Sequence, residues 1–181
     1  FKLIKNFAPT VRFGLCSNSE VVYKKYNDKI HIQIIQLALN PFYYASTKPF
    51  IKKLLSNRVE IQARSILASG FLSGKYNKAT MFTDLLRSRY TDPELRPHFN
   101  ERIETAHCIR SFLRRETKVR STDLTPLLYS IFDNLPQLKH VIRGGSSLAQ
   151  IKQNLKYIPV SNNFMDLFEK NMLTKWSVPY Q

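Results

Sequence analysis

The chain alternates apolar runs with amphipathic segments, and this alternation limits the folds open to it. Residues 11–16 and 30–39 are near-continuous apolar runs rich in Ile, Val and Leu, the pattern of parallel strands that are buried on both faces. Residues 19–27 between them predict a short helix that its first serine caps. A helix over 46–57 and a strand over 59–67 continue the order. Repeated βαβ crossovers build either a doubly wound sheet or a barrel.

The second half of the sequence predicts mostly helix. Residues 77–98 read as a long excursion, partly helical over 82–87, and residues 100–116 as a helix capped by Asn100. The apolar stripe of that helix is predicted to contain Ile103, Ala106, His107, Ile109, Arg110 and Leu113. A helix over 122–134, a strand over 139–143 and helices over 146–157 and 162–173 complete the chain.

The charge of the chain indicates a polyanionic neighbour. Among 181 residues, 28 Lys and Arg against 13 Asp and Glu give a net charge of +15, which fits RNA or an acidic membrane surface, although a compositional bias of the source would also produce it. A cluster on the helix over 100–116 and the turn after it is the first candidate for contact with nucleic acid: Arg110, Arg114, Arg115, Lys118 and Arg120. Lys52, Lys53 and Arg58 form a second candidate group. Either group is also compatible with a solvated helix face.

Small and polar residues follow the strand predicted over 139–143. Gly144, Gly145, Ser146 and Ser147 connect it to a helix, so backbone N–H groups there favour a bound anion. Ser147 followed by Gln150 also fits a capping box with no ligand. A second glycine-containing turn, LASGFLSGKY, leaves the strand over 59–67, and needs no function beyond a turn to explain Gly70 and Gly74.

Together these segments resemble the second half of an aldo-keto reductase barrel. VRFGLCSNS and IHIQIIQLALN look like the family's fifth and sixth strands, VEIQARSILASGFLSGKY like its seventh, and VIRGGSSLAQIKQNL like its GASSxEQxxEN signature at the eighth. The resemblance implies an α/β fold, a partial (β/α)8 TIM-type barrel with an appended C-terminal helix. A full barrel needs about 250 residues, so we expect one incomplete domain over 1–181, with 159–181 as an extension.

The resemblance implies a set of residues for binding NADP(H). They are Gln36, Ser65, Leu67, Ser69, Gly70, Arg143, Gly144, Ser146, Gln150 and Asn154. Gln36 matches the glutamine that bonds the nicotinamide amide, and Ser146, Gln150 and Asn154 match contacts to the adenosine and its 2'-phosphate. Three departures weaken the match: Gln153 replaces a glutamate, Arg64 stands where most members carry an aromatic residue, and Cys16–Ser17 replace Ser–Asn. We expect no bound cofactor, or NADP(H) if the site is retained.

The resemblance also implies that catalytic residues are missing. The family's Asp, Tyr, Lys and His lie on the first four strands, which match no part of this sequence, and none of the nine tyrosines can take the proton-donor role. The four histidines lack a Cys or carboxylate at ligand spacing, so no metal site is predicted. Two isolated cysteines fit a reducing compartment, and no apolar run is long enough to span a membrane.

Three functions remain open. The first is a non-catalytic, aldo-keto-reductase-like structural subunit of an RNA-containing assembly, such as a mitochondrial ribosome or another organellar complex. A half barrel with open strand edges and an apolar inner wall then needs another protein chain to cover it. The second is the C-terminal portion of an NADPH-dependent reductase that converts carbonyls to alcohols. The third is a regulatory subunit that binds the cofactor. A mitochondrial location is favoured, and a cytoplasmic one is also compatible.

Overall fold

The computed structural model describes residues 6, 10–85 and 87–178 and contains a parallel sheet of four strands. The strands are β1 (Gly14–Cys16), β2 (Ile34–Ala38), β3 (Glu60–Arg64) and β4 (His140–Val141), and they pair in sequence order. All three pairings are parallel, so each connection is a crossover. The predicted α/β fold with βαβ crossovers is confirmed.

Six α-helices accompany the sheet in the part of the chain that the structure describes. Their bounds are α1 (Glu20–Ile30), α2 (Tyr44–Ser56), α3 (Arg96–Thr117), α4 (Thr125–Asp133), α5 (Leu148–Asn154) and α6 (Asn162–Thr174). Short 3-10 helices at Ala68–Ser73 and Ser88–Thr91 lie in the excursion between β3 and α3. Ser19 caps α1 as predicted, because its side chain accepts a hydrogen bond from the backbone N–H of Val22.

The helix α3 differs from its prediction at both its start and its buried stripe. It begins at Arg96 instead of Asn100, since Pro97 occupies the first turn, where a missing N–H costs nothing. Its buried side chains include Phe99 and Phe112, whereas the predicted stripe residue His107 is exposed. An aromatic side chain gains more from burial than an imidazole, and this preference shifts the stripe.

The strands are buried on one face only, contrary to the sequence-based expectation. Along β2 and β3, Ile35, Leu37, Ile61 and Ala63 are at most 1% exposed, whereas the residues that alternate with them on β3 are only half-buried. Helices therefore cover one face of the sheet, and the other face remains open in the described part of the chain. The apolar composition of the run hid this alternation, because Ile34 and Ala38 of β2 are apolar although they stand on the same face as Gln36.

The open face of the sheet is polar, so the prediction of an apolar inner wall is wrong. Cys16, Gln36, Gln62 and His140 stand side by side in one row across the four strands. Within this row, the Gln36 Nε2 donates to the Gln62 Oε1 at 3.2 Å. Side chains that hydrogen-bond one another and water have no need of an apolar cover.

The row at the amino-terminal end of the strands, Gly14, Ile34 and Glu60, contains one charged residue. Glu60 accepts a hydrogen bond of 2.9 Å from Arg12 and lies 3.7 Å from the His140 imidazole. The Arg12 hydrogen bond outweighs the effect of burial and lowers the pKa of Glu60. An ion pair thus occupies a position where a closed barrel would carry bulky apolar side chains.

The C-terminal helix α6 packs against α2 and α3. Phe164 and Phe168 of α6 and the following Trp176 contact Phe112 of α3, with ring centroids 5.1–6.3 Å apart. Across the described residues, no helix is both long and apolar enough to cross a membrane. The same residues contain no group of three or more His, Cys, Asp or Glu suited to a metal ion.

Candidate nucleotide-binding site

A cavity of about 610 Å³ opens where the loops after β3 and β4 meet the helix α3. Its walls are Leu67, Ser73, Gly74, Lys75, Arg110, Arg114, Thr122, Asp123, Thr125, Gly144, Ala149, Gln150, Gln153 and Asn154. The two glycine-containing segments singled out in the sequence therefore share one cavity. We call it the junction cavity. Its volume lies within the range of small-molecule sites.

The wall formed by the loop after β3 depends on an unusual backbone path. Ser65, Ala68, Ser69 and Gly70 all have positive φ angles, between 48° and 94°, a conformation that costs residues other than glycine free energy. The loop turns back sharply into the 3-10 helix, and Ser65 and Ser69 become exposed. Of the residues predicted here, Leu67 lines the cavity, and Ser65, Ser69 and Gly70 do not.

Arg110 of α3 connects this helix to the loop after β3 and to the loop before α4. Its guanidinium donates to the carbonyl of Ser73 at 2.9 Å and to the carbonyl of Thr122 at 3.0 Å. Burial, followed by the charge of Arg114, lowers the pKa of Arg110. The guanidinium also lies so close to Gly74 that a Cβ atom there would overlap it. Arg110 thus stabilises the arrangement of these loops, and its positive charge lies in the wall of the cavity.

The electrostatic character of the cavity is positive. Lys75, Arg110 and Arg114 are cations in its wall, and among the described lining residues Asp123 is the one acid. Asp123 is already bonded, because its carboxylate accepts from the backbone N–H of Thr125 at 2.9 Å. Lys75 and Arg114 are both exposed. An anionic ligand is the complement of such a wall.

The helix α5, which follows the loop after β4, supplies side-chain amide groups. Ser147 caps α5 by accepting from the Gln150 N–H at 3.3 Å, which confirms half of the predicted capping box. The Gln150 side chain accepts instead from the N–H and hydroxyl of Ser146, at 2.9 and 3.0 Å. The buried Asn154 donates to the Gly144 carbonyl at 2.6 Å. These bonds set the positions of Gly144, Gln150 and Asn154 in the cavity wall.

Arg143 points away from the junction cavity. Its guanidinium donates to the Asn154 carbonyl at 2.9 Å, forms an ion pair with Asp133 and lies 5.2 Å from the centre of the Tyr129 ring. The cations that line the cavity are on α3 and on the β3 loop. Lys75 was not among the binding residues predicted from the sequence. It stands in the GKY that ends the seventh-strand match, and its positive charge there could have indicated a phosphate contact.

The residues that match the nicotinamide contacts lie on the strands instead of in the junction cavity. Gln36 is on the open face of the sheet and bonds Gln62. Arg64, at the end of β3, donates from its Nε to the Cys16 Sγ at 3.1 Å. These two bonds hold Gln36 and Arg64 against the sheet. Neither residue lines the junction cavity.

The predicted nucleic-acid residues do not form one surface. Arg110 and Arg114 line the junction cavity, Arg115 forms a 2.7 Å ion pair with Glu116, and Lys118 caps the end of α3 with a φ of 55°. Arg120 is exposed on the turn that follows. In the second group, Lys53 bonds Glu20, whereas Lys52 and Arg58 are exposed.

The fold of the chain is similar to part of the fold of several solved structures. The chain is similar to an aldo-keto reductase from Bacillus halodurans, in its apo and holo forms, with a TM-score of 0.68 and 19% identity, and it covers 57% and 56% of those chains. It is also similar to glycerol dehydrogenase from Gluconobacter oxydans, with a TM-score of 0.66, 16% identity and 54% coverage.

These alignments include 99–100% of the present chain, which therefore spans a little over half the length of each of these proteins. By sequence, no family model matches the chain, and no curated protein matches it either. The chain has an aldo-keto-reductase-like fold over part of a TIM-type barrel, as the sequence predicted.

Proposed function

We propose that the chain is a nucleotide-binding module of the aldo-keto reductase type and that its junction cavity holds the adenosine-phosphate end of NADP(H). One observation carries the proposal: the loop after β3 and the helices α3 and α5 bring three cations and three side-chain amides to one cavity. Cations and amides are the groups that bind phosphates and purines. The holo form of the Bacillus reductase supports a cofactor role for this fold.

The residues of the cavity fit that end of the cofactor. Lys75 and Arg114 are exposed cations suited to phosphate oxygens, and Gln150, Gln153 and Asn154 are amides suited to the ribose and base. Arg110 is already bonded to two carbonyls, so it contributes positive charge to the cavity and fixes the shape of the cavity wall. The cofactor, when bound, supplies a hydride. Cys16, Gln36 and Arg64 border the place expected for the nicotinamide.

The chain by itself carries no assigned proton donor for carbonyl reduction. The family's catalytic tyrosine and lysine match no position in this sequence, so we propose a non-catalytic module. The alternative is that the module is the C-terminal portion of an NADPH-dependent carbonyl reductase. An assay of NADPH oxidation with a panel of aldehydes separates these functions, since turnover that is lost on mutating Gln36 contradicts the non-catalytic proposal.

Calorimetric titration with adenosine 2',5'-bisphosphate tests the binding proposal. Arg114→Gln is expected to weaken binding about tenfold or more, because a charge-assisted hydrogen bond contributes roughly 1.5–3 kcal/mol. Gln150→Ala is expected to weaken it less. Arg115→Gln is the control, since it removes one charge from the same helix at a residue outside the cavity wall.

Equal affinities in all three variants would place the nucleotide elsewhere. Loss of binding in Arg115→Gln to the same degree as in Arg114→Gln would indicate a non-specific attraction to positive charge.

A second candidate function concerns the whole surface. The net charge of +15 supports the proposal that the chain works as a structural subunit in an RNA-containing assembly, of which a mitochondrial ribosome is one example. The exposed cations available for such contacts include Arg120, Lys52 and Arg58. Another protein chain that covers the open side of the sheet also belongs to this proposal. The polar side chains there favour a hydrated interface.

A further inference from the structure

The helix α5 carries a stripe of large apolar side chains that are exposed to solvent. Leu148 and Ile151 of the helix and Leu155 at its C-terminal end are 67%, 45% and 64% exposed. Their spacing of three and four residues places them on one face of the helix. We call these three residues the α5 stripe. Exposed apolar side chains that lie side by side mark a surface for association.

The other side of α5 faces the protein. The side chain of Asn154 is 6% exposed and donates to the Gly144 carbonyl at 2.6 Å, and the Asn154 carbonyl accepts from the Arg143 Nε at 2.9 Å. Gln150 and Gln153 line the junction cavity. These contacts fix the rotation of the helix about its axis, so the α5 stripe stays directed toward solvent.

Positive charge accompanies the α5 stripe. Lys152 borders it, because this residue lies one helical turn after Leu148. Lys156 follows at the end of the helix, and both lysines are exposed. The sequence between Asp133 and Asp166 contains no acidic residue that could offset them. The surface around the stripe therefore combines apolar side chains with uncompensated lysines.

This combination of apolar area and positive charge selects one kind of partner. Two copies of the chain that faced each other through their stripes would bring the same lysines together, on molecules that each carry a net charge of +15. Nucleic acid attracts lysines, but its phosphate backbone offers no apolar surface for leucine side chains. An anionic lipid surface accepts both, since its headgroups attract lysines and its acyl chains receive apolar side chains.

We propose that the α5 stripe docks the chain on an anionic lipid surface, with Lys152 and Lys156 against the headgroups. The helix has seven residues, so it lies in the plane of the surface and does not span it. Three apolar side chains bury little area, and the attachment is therefore reversible and depends on the lysines. The proposal is independent of the nucleotide proposed for the junction cavity, because none of the three stripe residues lines that cavity.

Sedimentation of the full chain with vesicles of phosphatidylcholine and phosphatidylserine tests the proposal, with vesicles of phosphatidylcholine alone as the reference. Binding is expected only to the anionic vesicles and is expected to fall as salt rises. The double variant Lys152→Gln, Lys156→Gln is expected to weaken binding about 20-fold, since each lysine near such a surface contributes roughly fivefold. Leu148→Gln and Leu155→Gln are each expected to weaken it about tenfold.

Two matched controls and an insertion measurement accompany these variants. The double variant Lys25→Gln, Lys29→Gln removes two exposed lysines at the same spacing from α1, and Leu85→Gln replaces a leucine that is 97% exposed outside α5. Each control is expected to change the affinity less than about threefold, because distant charges are screened. In Leu155→Trp, brominated lipid is expected to quench the new indole more strongly than Trp176, which is 4% exposed.

Four results would overturn the proposal. The first is an equal affinity in the leucine variants and the wild type, because adsorption would then depend on net charge alone. The second is an equal loss in the two lysine double variants, and the third is the absence of quenching in Leu155→Trp. The fourth is self-association of the chain that Leu148→Gln abolishes, with no binding to vesicles, which would assign the α5 stripe to a second copy.

Discussion

Gly74 has no side chain, and this lets Arg110 of α3 reach the loop after β3 and the carbonyl of Thr122. The residue has a φ of 82°, and the Arg110 guanidinium lies against it while bonding the carbonyls of Ser73 and Thr122. Two requirements coincide, since the backbone needs the left-handed region and the cation needs the space of a Cβ. The shape of the junction cavity depends on this contact.

Gly74→Ala is therefore expected to destabilise the protein by about 1–3 kcal/mol through backbone strain alone, with a further loss from displacing Arg110. The same variant is expected to weaken binding of adenosine 2',5'-bisphosphate. Gly144→Ala is the control for stability alone, because no described atom lies within 4 Å of a Cβ built there and its φ is not positive. Urea unfolding measures the free energy of unfolding of both variants. Equal stability of Gly74→Ala and the wild type would contradict this account of Arg110.

At the scale of elements, a polar contact holds the C-terminal helix α6 on α2. The Tyr44 hydroxyl is 2.6 Å from Glu169 of α6 and accepts from the Gln137 amide at 2.7 Å, while the Lys48 ammonium lies 3.0 Å from the same carboxylate. Burial of the 1% exposed Tyr44, together with Glu169, raises the pKa of the phenol. Tyr44 therefore remains a neutral donor.

Glu169 makes this contact dependent on pH. Burial raises its pKa, but the hydrogen bonds from Tyr44 and Lys48 outweigh burial, so the pKa in the folded protein is below its ordinary value. A carboxylate with a lowered pKa stabilises the fold above the unfolded-state pKa of about 4.3, and its contribution is lost as the pH falls through the folded-state value.

Glu169→Gln is expected to lower the free energy of unfolding by about 1 kcal/mol at neutral pH, because the carboxylate is part of a partly exposed hydrogen-bonded pair. The difference from the wild type is expected to shrink below a pH of about 4. Glu104→Gln, which removes an exposed pair with Lys78, is the control and should change little. A difference that grows toward low pH would contradict the assigned pKa direction.

At the scale of the whole molecule, the net charge and the open face of the sheet determine which partners suit the surface. The described open face carries an ion pair, two bonded glutamines and a histidine, so water or a polar partner suits it better than an apolar surface. The +15 charge acts over the entire surface. Binding to a polyanion is then a property of the molecule and not of one motif.

Affinity for RNA is expected to be nearly independent of sequence and to fall steeply with salt. Six phosphate contacts would lose about a thousandfold in affinity between about 50 and 200 mM salt, because each contact releases counterions. Charge reversal of Arg115, Lys118 and Arg120 leaves the junction cavity intact and is expected to reduce both the affinity and the salt dependence.

Sedimentation of the native particle is the measurement that tests the assembly proposal. Wild-type chain that sediments alone, with no change on charge reversal, would contradict it. Lys139→Glu, at an exposed residue beside β4, is a control for a change of net charge elsewhere on the surface.

The sequence alone determined the order of strands and helices, because apolar runs of strand length and the periodicity of helices are local properties. The caps at Ser19 and Ser147 and the resemblance to an aldo-keto reductase were readable for the same reason. The two glycine-containing segments were also recognised as neighbours of one site. These features depend on residues close together in the chain.

The tertiary structure alone decided which face of the sheet is open and where the charges point. Arg110 and Arg114, read as a surface for nucleic acid, line a cavity, whereas Arg143, read as a phosphate contact, bonds Asp133. The direction of a long side chain depends on partners that crossovers bring together, and such partners leave no periodic signal in the sequence.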